Sequence, residues 1–280
     1  MIERQLSVPG LTLAALEWGD PNAAHKVLAL HGWLDNAATF TMLAPRLSQV
    51  HVVAIDLPGH GKSEHRSANG TYHFIDWIPE VVAAVDALGW QRPTLMGHSM
   101  GAAIAAVTAG TMPDMVRSVV LLDGVAPYTT PADETPDTLA KFIKQRSRLL
   151  HKKRPLYASV DEAAHRLMEV TTLDAAAARI LTERSTRPEA GGVAWTYDPR
   201  LRFISPMRFT EEHNIAFLRR ITAPVLLVRP DGGIPIDDSV LASWTAAIAN
   251  LRIERPVGGH HVHLEHADRV APFIQAFVGA

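Results

Sequence analysis

Five short apolar runs, each stopped by a loop, limit what this chain can become more than anything else in it. They are Val27-Leu28-Ala29-Leu30, Val50 to Ile55, Leu95-Met96, Val119 to Leu122 and Val225-Leu226-Leu227-Val228. Unbroken runs of this kind suit strands buried on both faces, as in parallel sheets. Between them lie segments of helical spacing, such as Thr39 to Leu47 and the stretch from Asp76 that carries Val81, Val82, Val85 and Leu88. The rhythm of strand, loop and helix predicts an α/β fold with a mostly parallel, doubly wound sheet and right-handed crossovers. Ligands of such sheets bind at the carboxyl ends of the strands. Ahead of this region, Leu11, Leu13, Ala15 and Trp18 precede Gly19-Asp20-Pro21 and read as a first hairpin.

From about Val125 to Arg220 the rhythm fails and helical segments take over. Ser159-Val160-Asp161-Glu162 and Thr171-Thr172-Leu173-Asp174 both match a capping box. Ala175 to Arg184 is a strong helix former, and Gly191-Gly192 and Asp198-Pro199 are breaks. The reading is a core over 1–126 and 216–280, with a helical lid at 127–215 inserted after the sixth strand. The rhythm then resumes, with a helix from Asp237 to Ala249, a strand from Leu251 to Val257 and a last helix from Ala267 to Val278. A length of 280 residues with 47% apolar residues suits one such domain with its insertion.

The charge balance, 27 basic against 29 acidic side chains for a net −2, argues against nucleic-acid binding or electrostatic membrane adhesion. With no cysteine, thiolate nucleophiles and disulfides are excluded. The start, Met1-Ile2-Glu3-Arg4-Gln5, lacks a secretory layout, and no apolar run reaches the ~18–20 residues of a membrane span. The expectation is a soluble cytoplasmic protein, monomer or homodimer. The basic run Lys141, Lys144, Arg146, Arg148, Lys152, Lys153 and Arg154 reads as a solvated helix face, with an anion site as the sharper alternative.

Chemistry is concentrated at Gly97-His98-Ser99-Met100-Gly101, between a strand-like and a helix-like run. A serine on so sharp a turn needs glycine two positions to either side, because a larger side chain would collide with strand or helix. A serine hydroxyl needs a base to take its proton, and that base needs an acid to hold its tautomer. Candidates follow in the order Ser99, Asp231, His260, each near the end of a predicted strand.

With these motifs in place the chain resembles the α/β-hydrolase superfamily over nearly its whole length. His31-Gly32-Trp33-Leu34-Asp35 is similar to that family's oxyanion loop. Asp56-Leu57-Pro58-Gly59-His60-Gly61-Lys62-Ser63 is similar to the loop after its fourth strand, Gly97 to Gly101 to its nucleophile elbow, and Gly259-His260 with Glu265 to its histidine loop. The tail Gly259-His260-His261-Val262-His263-Leu264 and the stretch Asp198-Pro199-Arg200-Leu201-Arg202 resemble the serine hydrolase-like branch. The resemblance implies Ser99 as nucleophile, His260 as general base and acid, Asp231 as triad acid with Asp123 as the alternative, and the Trp33 and Met100 amides as oxyanion hole. Trp33, His98 and Trp195 are candidate substrate contacts, though packing is the plainer role for His98. His60 is read as stabilising its own loop. Trp195, Tyr197, Phe203, Met207 and Phe209 are read as lid core that could line an acyl tunnel, and Arg200 and Arg202 as a carboxylate grip or partners of the lid's own acids.

The run His261-x-His263-x-Glu265-His266 also resembles a metallo-β-lactamase ligand run, but only 14 residues follow and none is histidine. The expected function is hydrolysis of a small to medium carboxylic ester through an acyl-enzyme, with water as co-substrate and neither cofactor nor metal. Carbon–carbon, thioester or amide hydrolysis and perhydrolysis by the same triad are alternatives, as is a non-catalytic binding member of the fold.

Overall fold

The computed structural model describes residues 1–149 and 154–279. The strands of its central sheet are β1 (Ile2–Val8), β2 (Leu11–Trp18), β3 (His25–Leu30), β4 (Val50–Ile55), β5 (Thr94–His98), β6 (Ser118–Leu122), β9 (Val225–Val228) and β10 (Leu251–Glu254). Across the sheet these eight lie in the order β1-β2-β4-β3-β5-β6-β9-β10. From β4 to β10 every pairing is parallel, while β1 and β2 pair antiparallel and β2 meets β4 antiparallel.

Successive residues of the buried strands face opposite sides of the sheet, so each apolar run feeds two cores. Leu28, Leu30, Leu95, Val119, Leu121 and Leu227 point to one face, where α1 (Trp77–Ala87), α2 (Met100–Thr111), α6 (Glu211–Arg219) and α7 (Asp238–Ala247) bring Val81, Ile104, Leu218 and Trp244. Val27, Ala29, Met96, Val120, Leu226 and Val228 point to the other. There they meet Phe40, Val262 of the short α8 (Val262–Glu265), and Val270 and Ile274 of α9 (Ala267–Val278). Helices on both faces make the sheet doubly wound.

In the core, three local expectations change. The first hairpin joins β1 to β2 through Pro9-Gly10, with Gly10 at φ 78°, and Gly19 instead leads out of β2 toward β3. Gly19 sits at φ 85° where a side chain would overlap the Val50 carbonyl. Thr39 to Leu47 forms two short 3-10 turns, Ala37–Phe40 and Ala44–Arg46, the first capped by the Asn36 side chain and the second entered at Pro45. Proline cannot continue a helix from within, which divides the stretch. The strand expected over Leu251 to Val257 ends at Glu254.

Between β6 and β9 lie α3 (Thr135–Leu149), α4 (Val160–Met168), α5 (Ala175–Arg184) and a hairpin of β7 (Thr186–Glu189) and β8 (Gly192–Trp195). Ser159 caps α4 by accepting from the Glu162 amide, but Glu162 takes the Ala158 amide rather than that of Ser159. The second expected box is not formed, because Asp174 itself caps α5 by accepting from the Ala177 amide. α6 begins at Glu211 and packs on α2 and α7, so the end of the 127–215 stretch joins the core helices. In the basic run, Lys141, Lys144 and Arg146 are exposed on α3, while Lys152 and Lys153 lie outside the described residues.

The insertion is fastened to loops at the carboxyl ends of the strands. Arg184, at the end of α5, donates to both Asp56 oxygens at 3.0 Å and to Glu3 at 2.7 Å. Asn36 donates to the Leu181 carbonyl at 2.8 Å, and Trp33 Nε1 to the Leu201 carbonyl at 2.9 Å. The Asp174 amide donates to Glu265 at 2.8 Å. Asp198 accepts from the Tyr72 hydroxyl at 2.9 Å and from Arg200. Arg200 therefore pairs with an acid of the insertion and with the carbonyls of Arg66, Ser67 and Gly70.

Candidate active site

Ser99 is the first residue after β5 and is held at φ 53°, ψ −115°, a conformation that non-glycine residues rarely adopt. Its neighbours enforce the turn. A Cβ on Gly97 would overlap the Gly101 carbonyl, and one on Gly101 would overlap the Leu30 carbonyl. One on Gly124 would stand 2.5 Å from the Ser99 carbonyl oxygen. The Ser99 amide donates to Leu122 at 2.9 Å, which ties the turn to the end of β6. The side chain is half-buried, and its Cβ lies 3.3 Å from where a Gly32 side chain would start. The elbow is thus seated against the loop after β3.

Asp123 is the first residue after β6, itself at φ 46°, and it is buried. Its Oδ2 accepts from His260 Nδ1 at 2.6 Å and from the Ile234 amide at 2.8 Å, and its Oδ1 meets Arg229. Burial alone would raise this carboxyl, but the His260 and Ile234 hydrogen bonds and the Arg229 charge outweigh it and hold it below the usual carboxylate range. With Nδ1 as donor, the lone pair of His260 lies on Nε2, the nitrogen a general base requires. Among the described residues no hydrogen bond joins Ser99 to His260. Such contacts commonly tighten only when substrate is bound.

Asp231, the acid expected first, stands elsewhere. It is exposed, and its Oδ1 accepts from the Gly232 and Gly258 amides at 2.9 Å each, bracing the loop that leads to His260. The physical reason is register. Asp123 follows β6 directly and faces the sheet edge, whereas Asp231 is carried past Arg229 and Pro230 into a turn. Arg229 was not legible as a site residue, and only the pairing of β6 with β9 brings it to Asp123.

The Met100 amide opens α2, where an N–H has no intrahelical acceptor. The Trp33 ring is half exposed at the rim, pinned to the insertion by its indole N–H. His98 departs from the expected substrate contact. Its ring is fully buried, donates from Nε2 to the His260 carbonyl at 3.0 Å, and lies 4.3–4.6 Å, centroid to centroid, from His260, His261 and His263. Burial pushes it down to about 4 against the pull of Asp35. The Trp195 ring packs edge-on to Tyr157 and tilted against Tyr197, within the β7–β8 hairpin region. His60 is buried, edge-on to His31, with Nδ1 bonded to the Pro58 carbonyl, so it serves its own loop.

The metallo-β-lactamase-like run does not converge on one point. His261 faces Asp35 at 3.1 Å, His263 pairs with Thr39 at 2.9 Å, and Glu265 takes the Asp174 amide.

The alpha/beta hydrolase fold model matches residues 26–267. The chain belongs to the α/β-hydrolase family, in its serine hydrolase-like branch. It is 32% identical to a serine hydrolase-like protein of Danio rerio, over 99% of this chain and 88% of that one. It is 37% identical to the hypothetical protein PA1622 of Pseudomonas aeruginosa PAO1, whose crystal structure matches with a TM-score of 0.94 over 99% of this chain and 98% of that one. The thioesterase domain from the curacin biosynthetic pathway is 26% identical, with a TM-score of 0.88 over 99% of both chains. Among the described residues no helix is long and apolar enough to cross a membrane.

Proposed function

We propose that the protein hydrolyses a small to medium carboxylic ester through a Ser99–His260–Asp123 triad and an acyl-enzyme. The observation that carries this is the 2.6 Å hydrogen bond from His260 Nδ1 to buried Asp123, one loop away from a serine held in an elbow turn. His260 Nε2 takes the Ser99 proton as Oγ adds to the ester carbonyl. The charge on the carbonyl oxygen falls to the Met100 and Trp33 amides, and donors of this kind lower a barrier by about 3–4 kcal/mol. His260 then gives its proton to the leaving alcohol; in the second half it takes a proton from water as the water oxygen adds to the acyl carbonyl, and returns that proton to Ser99 Oγ as the acyl bond breaks and the acid leaves. Asp123 stays ionised throughout and stabilises the imidazolium.

A panel of p-nitrophenyl esters of rising acyl length tests the reading, with kcat/KM expected to peak between acetate and hexanoate and to fall toward palmitate. A monotonic rise toward palmitate contradicts it. A second reading, thioester hydrolysis, is favoured by the likeness to the curacin thioesterase domain over the full chain. Matched oxygen and sulfur esters of one acyl group separate the two.

A further inference from the structure

Beneath the proposed triad, the end of β5 and the loops after β3 and β10 bring Asp35, His98 and His261 together, with one donor atom of each within 4.8 Å of the others. Asp35 Oδ2 is 3.3 Å from His98 Nδ1 and 3.1 Å from His261 Nε2. A tetrahedral site with bonds of about 2.0–2.1 Å has donor–donor edges of roughly 3.3 Å. These two separations already fall close to that edge.

The hydrogen bonding of His98 points the same way. Its Nε2 faces the His260 carbonyl oxygen, so that nitrogen carries a hydrogen. Nδ1 faces the Asp35 carboxylate oxygen at 3.3 Å without hydrogen-bond geometry, which leaves it free to ligate when the ring is neutral. A ligating histidine characteristically gives its other N–H to a carbonyl or carboxylate, which is the arrangement here. A Cβ on Gly32 would stand 3.0 Å from His98 Nδ1, 3.1 Å from Asp35 Oδ2 and 3.3 Å from Ser99 Cβ. The absent side chain leaves the donors open toward the nucleophile. Among the described residues no other His, Asp or Glu group of three or more approaches so closely.

We infer that Asp35, His98 and His261 form a site for a first-row divalent cation of zinc type, with a fourth position left for water. The two imidazoles and one carboxylate suit Zn²⁺ or Co²⁺ rather than Ca²⁺ or Mg²⁺, which prefer oxygen. The His98 ring centroid is 4.5 Å from that of His260. A dication there opposes the imidazolium that the proposed triad must form, so the bound metal inhibits. That last consequence rests on the proposed function, while binding does not.

The test uses the full chain after dialysis against chelator, titrated with Zn²⁺ by calorimetry and with Co²⁺ by visible absorption. Ser99→Ala and His260→Ala are expected to bind one equivalent as tightly as wild type, since His260 contributes only its backbone carbonyl. Asp35→Asn and His261→Gln are expected to bind at least about tenfold more weakly, each checked for folding by circular dichroism. An anomalous difference peak in Co²⁺-soaked wild-type crystals, expected between Asp35, His98 and His261, decides the matter if neither variant folds. Less than one equivalent bound, unchanged affinity in the folded Asp35 and His261 variants, loss in His260→Ala, or a peak elsewhere overturns the site.

Discussion

Replacing Asp123 by asparagine probes the proposed triad through its tautomer. Oδ1 of Asp123 meets the Arg229 guanidinium and Oδ2 the Ile234 amide, both of which only donate; the charged guanidinium makes the stronger demand, so the amide oxygen of the new side chain is expected on its side, at the cost of the Ile234 hydrogen bond. The amide nitrogen then faces His260 Nδ1, where Oδ2 stood 2.6 Å away. A donor there makes Nδ1 the lone-pair nitrogen and moves the ring hydrogen to Nε2, so the ring can no longer accept the Ser99 proton. The same defect in other triads costs ~10⁴ in kcat, equal to about 5.5 kcal/mol of barrier. Asp231→Asn keeps an oxygen to accept from Gly232 and Gly258, and its effect should stay within about tenfold. The assay is p-nitrophenyl butyrate turnover, paired with the second-order rate of fluorophosphonate inactivation, which needs no knowledge of the natural substrate. Folding of both variants is checked by thermal melting. If Asp123→Asn keeps wild-type turnover within tenfold, or Asp231→Asn is the crippled variant, the assignment of the acid fails.

Three further outcomes follow from the same structure. Arg184→Leu leaves the buried Asp56 carboxylate without its cation and should cost about 3–5 kcal/mol, a fall of roughly 5–8 °C in Tm for a chain of this length; a melt within a degree of wild type would show that the insertion does not depend on this pair. Burial pushes Glu80 up to about 7, with Arg66 pulling it down and Asp76 adding to the rise. A raised folded value means stability is full below the unfolded value of 4.5 and is lost as pH climbs through about 7. Urea unfolding of wild type against Glu80→Gln should show wild type losing up to about 3 kcal/mol relative to the variant between about pH 4 and pH 8, and a flat or opposite trend refutes this. Ser99→Gly should melt about 2 °C above Ser99→Ala, because glycine accepts φ 53°, ψ −115° and alanine does not; equal melting points would mean the elbow stores no strain.

The central strands were legible because burial on both faces removes the need for polar alternation, and Val27–Leu30 or Val225–Val228 could hardly be anything else. The edge was not. The first four residues of β1 are exposed, so its sequence carries little apolar signal, and the alternation that is visible points to a hairpin one turn later than the real one. The elbow was legible because its glycines are dictated by backbone collisions that local sequence already implies. Asp123 and Asp231 each follow a strand and precede glycine, so the sequence alone favours Asp231 and holds Asp123 as the alternative. What separates them is Arg229 and the Ile234 amide, 106 and 111 residues away from Asp123. The Asp35–His98–His261 cluster is hidden for the same reason, as its members come from the loop after β3, the last residue of β5 and the loop after β10.

Fluorophosphonate labelling followed by peptide mapping tests most directly whether an ordinary hydroxyl is activated here. Wild type should gain one adduct, on Ser99, which is absent in Ser99→Ala and formed at least about a thousandfold more slowly in His260→Ala. No adduct under conditions that label a control esterase, or labelling at Ser99 that is indifferent to His260, would contradict the account.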